Sequence, residues 1–81
     1  MTTEQVLNQL LSEVRQRERE YHELRLWTER CANLVGRALL KRDEKEALVD
    51  RLGTIGAYSV AAQRELLALL RDLEAHMNPI A

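Results

Sequence analysis

Apolar residues return at seven-residue intervals along the first half of the chain. One row reads Leu7, Val14, Tyr21, Thr28, Val35 and a second reads Leu10, Arg17, Leu24, Cys31, Ala38. Eight of these ten positions are apolar, the pattern of a helix packed along another helix. Residues 3–40 contain no Pro and a single Gly, Gly36, so the spacing predicts a first helix over 3–40. At 1.5 Å of rise per residue it would reach about 57 Å, far more than a chain of 81 residues needs to form a globule. Thr2 followed by Gln5 fits a capping box, Glu4 suits the positive end of the helix dipole, and Lys41 and Arg42 suit its negative end.

Beyond residue 42 the pattern restarts. Asp43 and Glu46 read as a new helix start, and a second helix is predicted over 44–52, with Leu48, Val49 and Leu52 on one face. Gly53 and Gly56 then predict a hinge over 53–56. A third helix is predicted over 57–77, capped by Thr54 or Ser59. It carries Ala62, Leu66, Leu69, Leu73 and Met77 on one face, widened by Leu67 and Leu70. Asn78-Pro79 should end it, because the residue before Pro avoids the α region. No strand signal appears. The expected fold is all-α: residues 1–81 form a single domain in which a long amphipathic helix packs against a short and a medium helix as a helical hairpin. The part of the first helix left uncovered predicts assembly as a homodimeric helical bundle, since so small a chain has a marginal core of its own.

Charge sharpens this picture. The net charge is −1, with no global pull toward nucleic acid or an anionic membrane. Residues 1–42 hold eight basic and six acidic side chains (+2), and residues 43–81 hold four and seven (−3). Opposite signs in the two halves favour antiparallel contact. Cys31 is the only cysteine, so an intrachain disulfide is excluded. No run approaches the ~20 apolar residues of a membrane span, and the N-terminus has no signal-peptide pattern, so a cytoplasmic protein is expected.

Candidate chemistry is sparse. His22 and His76 stand in no metal-ligand spacing, and no nucleophile–base set or phosphate loop is present, so neither catalysis nor a cofactor or metal is expected. Gly53-x-x-Gly56 is similar to the helix–GxxG–helix element of KH domains, but the strands of such a domain are missing. The candidate oligomer seam is Leu7, Leu10, Val14, Arg17, Tyr21, Leu24, Cys31 and Val35. Cys31 reads as a buried structural thiol. Arg17 reads either as part of a solvated stretch, paired through Glu13–Arg17 and Arg19–Glu23, or as a register-setting polar residue. Leu26, Trp27 and Arg30 form the candidate partner-binding patch, since an off-seam apolar pair beside an Arg has the composition of an interface hot spot. The alternative for Trp27 is packing on the third helix.

These features predict a small non-catalytic protein–protein interaction protein. In size and outline the chain resembles the helical-hairpin co-chaperones of secretion systems, and small phage- or mobile-element-encoded inhibitors of host complexes. The resemblance implies a chaperone or adaptor role or an inhibitory one, with a protein partner and no membrane. The alternative is a regulator contacting nucleic acid through Arg15, Arg19 and Arg25 with Tyr21 and His22, although the interleaved Glu18, Glu20 and Glu23 would repel phosphates.

Overall fold

The computed structural model describes residues 2–77. Two helices account for nearly all of them: α1 (Thr3–Arg37) and α2 (Arg42–Met77), with no strand among the described residues. They lie antiparallel as a hairpin within an envelope of 58 × 20 × 15 Å. The predicted capping box is present: the Thr2 hydroxyl accepts from the Gln5 N–H at 3.2 Å, and the Gln5 side chain accepts from the Thr2 N–H at 3.0 Å.

The first helix ends at Arg37, three residues before the predicted end. Ala38 leaves the helix in an extended conformation (φ −71°, ψ 149°). Lys45 explains how the end is held: its Nζ donates to the Gly36 carbonyl at 2.9 Å, placing a cation on an orphan acceptor at the negative helix terminus. Residues 38–41 make the turn, and Leu39 points wholly into solvent.

The predicted glycine hinge is corrected by the structure: α2 runs unbroken through residues 53–56, so there is one helix where two were expected. Two helical glycines cost about 1 kcal/mol each relative to Ala, and pairing along α1 overrides that cost. Gly56 also has a packing role, because a Cβ built there would stand 3.1 Å from Thr28 Oγ1. Thr54 and Ser59, offered as caps, instead donate back to the carbonyls of Asp50 (3.1 Å) and Ile55 (2.9 Å), which satisfies their hydroxyls inside a continuing helix. Asn78 and Pro79 lie outside the described residues.

The two helices meet on heptad rows. Positions 7, 14, 21, 28, 35 and 11, 18, 25, 32 of α1, and 45, 52, 59, 66, 73 and 56, 63, 70, 77 of α2, are all buried or half-buried, with 22, 24, 31 and 60, 62, 68 half-buried outside these rows. The first predicted row is therefore the seam of the hairpin, and the second is displaced by one residue. Leu11 is buried where Leu10 was expected, and Leu10 remains 41% exposed.

The seam changes character along its length. Toward the open end, Leu11, Val14 and Leu73 form the core, with Leu7, Leu66, Leu70 and Met77 packed against it. At the middle the helices meet through small and polar side chains. Ser59 is 0% exposed and Thr28 is buried, and Gln63 Nε2 donates to Glu18 Oε1 at 2.9 Å.

Candidate functional site

The structure separates the expected surface residues by side. Seven-residue spacing puts residues 10, 17, 24 and 31 along one flank of the α1 seam, and residues 48, 55, 62 and 69 along one flank of the α2 seam. Tyr21 and Tyr58 join these flanks on one side of the hairpin, edge to face with centroids 6.0 Å apart and planes at 69°. The neighbouring Tyr58 phenol, first through hydrogen bonding and then through charge repulsion, holds the Tyr21 pKa above its ordinary value of 10.0. On the other side Arg15 reaches Glu74 at 3.5 Å.

The Tyr21 side is mostly apolar, broken by the Arg17–Glu20 ion pair. On α1, Leu24 and Cys31 are half-buried, and Trp27 (45%) and Leu34 (60%) are exposed; on α2, Leu48, Ile55, Tyr58 and Leu69 are exposed. The α1 flank on the Arg15 side carries Asn8, Arg15, His22 and Glu29. The α2 residues on the apolar side were not read as one stripe in the sequence, because the supposed break at Gly53 and Gly56 divided them. Their signal is the unbroken spacing 48, 55, 62, 69.

Of the seam candidates, Val14 is buried, Leu7, Tyr21 and Val35 are half-buried within the hairpin, and Leu24 and Cys31 are half-buried beside it. Leu10 and Arg17 are exposed. Arg17 lies off the hairpin seam and pairs with Glu20 at 3.0 Å, where the sequence suggested Glu13. Cys31 is a free thiol, half-buried where full burial was expected. Leu26, Trp27 and Arg30 are all exposed. Leu26 and Arg30, one helical turn apart, face outward from the hairpin, while Trp27 stands at the border with the apolar side.

Glu18 and Arg25 also enter the seam, where the sequence placed Arg17 as the one charged candidate. Glu18 is held by Gln63. Arg25 is half-buried, and its Nε is buried without a partner. Beside it Thr28, Ala32, Leu52, Gly53, Gly56 and Val60 border an open notch of about 320 Å³, shaped by the missing glycine side chains. The Arg residues of the nucleic-acid alternative are thus engaged differently: Arg15 binds Glu74, and Arg25 lies in the seam.

Among the described residues no group of three His, Cys, Asp or Glu side chains converges as a metal set, and no helix is long and apolar enough to cross a membrane. No protein-family model, curated protein or solved structure matches the chain.

Proposed function

We propose that this chain is a small non-catalytic protein–protein interaction protein, acting as a chaperone or adaptor or as an inhibitor of a larger protein complex. The supporting observation is the outward side of α1, where Leu26 and Trp27 stay in water with Arg30 one turn along. An apolar pair of this kind removes area from water only when a partner covers it, and a neighbouring guanidinium supplies a charged hydrogen bond at the rim. The long, narrow hairpin presents this surface at its waist, within reach of a groove or helix face on a larger protein. Affinity capture from the native host tests the reading. A specific protein should be retained by the wild type, and Leu26→Ala with Arg30→Ala should weaken its binding by about 2 kcal/mol or more while helicity is kept. Retention unchanged by the double variant would remove this surface from the proposal.

A further inference from the structure

The Tyr21 side of the hairpin is more extensive than the outward patch, and its chemistry points to a different occupant. The chain exposes 6561 Å². A compact monomer of 9.4 kDa exposes about 5,000 Å² by the usual area scaling. The excess exceeds the ~800 Å² that each partner gives up in a standard interface. The α1 stripe from Leu10 to Leu34 runs about 36 Å, and with the 20 Å width of the hairpin it offers an area of that order.

We infer that a second copy of this chain covers this side, forming an antiparallel four-helix bundle whose two-fold axis runs parallel to the helices. Charge selects the arrangement. α1 holds six basic and six acidic side chains and α2 holds five basic and seven acidic, so a bundle in which like helices sit diagonally keeps the two acidic α2 helices apart. Only the axis parallel to the helices does this: each α1 lies against α2 of the second copy, and both turns lie at the same end.

Heights along the axis agree with that choice. Within the hairpin, Gly36 is level with Lys45, Thr28 with Gly56, and Glu18 with Gln63. An axis parallel to the helices preserves height, so it sets Leu34 against Leu48 of the second copy and Trp27 against Ile55. It also sets Arg17 level with Glu65 of the second copy, which assigns Arg17 a place between chains rather than within one. The outward residues Leu26 and Arg30 remain free, whereas Trp27 is common to this face and to the partner surface proposed above; the Leu26 and Arg30 variants there and the Leu34 and Leu48 variants here keep the two readings distinguishable.

Sedimentation equilibrium on the full chain tests the inference. The wild type should have twice the chain mass, dissociating only on dilution. Leu34→Lys and Leu48→Glu, both at exposed positions (60% and 46%), should each weaken self-association by about 30-fold, with circular dichroism confirming retained helicity. Mixing the two variants should restore a dimer, because each heterodimer then holds one Lys–Glu contact and one Leu–Leu contact. A wild-type mass that stays monomeric at all concentrations overturns the inference, whatever the variants do. Variants that dimerise like the wild type overturn the face. A wild-type dimer whose variants are separated but not restored by mixing overturns the axis.

Discussion

The open end and the waist of the hairpin use the same heptad geometry with opposite side chains. At the open end, Leu11, Val14 and Leu73 exclude water with large aliphatic groups. At the waist, Thr28, Gly56 and Ser59 bring the backbones together, and Gln63 donates a hydrogen bond to Glu18. Aliphatic burial is non-directional and tolerates sliding, whereas a hydrogen-bonded pair and a glycine contact each fit at one register. Stability and alignment are therefore assigned to different stretches of one seam.

Substitutions can break that division, beginning at the open end. Leu73 is 5% exposed, and Leu73→Ala should destabilise by about 2–5 kcal/mol, read from the urea midpoint. A loss below about 1 kcal/mol would mean that the apolar cluster is not the main source of stability. Next comes Ser59, which is 0% exposed. Ser59→Leu should destabilise by about 1–3 kcal/mol despite adding apolar surface, because the close approach leaves no room; a gain in stability would show a waist looser than described.

The Glu18–Gln63 bond sharpens the comparison. Gln63→Ala leaves a half-buried carboxylate without its donor and should cost about 1 kcal/mol. Replacing both residues by Leu should recover that loss while broadening the amide spectrum as registers compete. The smallest effect is the most discriminating. Gly53→Ala meets nothing within 4 Å and should stabilise by about 0.5–1 kcal/mol through helix propensity and a less free unfolded chain. Gly56→Ala should gain less, or lose, because Thr28 Oγ1 stands at 3.1 Å and its hydroxyl is committed to the Arg25 carbonyl at 2.6 Å. Equal responses at the two glycines would contradict a packing role for Gly56.

Helical class, the hairpin and the capping box were legible because they follow from local pattern: Thr2 with Gln5, and the row Leu7, Val14, Tyr21, Thr28, Val35. The second row was misplaced for a physical reason. Counting apolar residues prefers Leu10, Leu24 and Cys31 to Leu11, Glu18, Arg25 and Ala32, yet the hairpin buries the mixed row because Gln63 and the small waist residues accommodate it. Gly53 and Gly56 carried the same kind of ambiguity. Their propensity signals a break, whereas their role in the fold is proximity, and proximity depends on Thr28 in the other helix. The exposed side chains of the partner-binding patch were readable from their positions off the seam, but the apolar stripe on α2 emerges only once that helix is continuous.

The distance between the turn and the apolar cluster bears on how the chain folds. Next to residues 38–41 the tie between the helices is a lysine on a carbonyl, which returns little free energy when made. Leu73 meets Leu11 only after almost the whole chain has been closed into a loop, and that closure grows more costly only logarithmically with length. Zipping from the turn is thus uphill until the far ends touch. The rate-limiting ensemble should contain open-end contacts while the turn is still loose, so that Leu73 would show a high φ-value and Lys45 a low one.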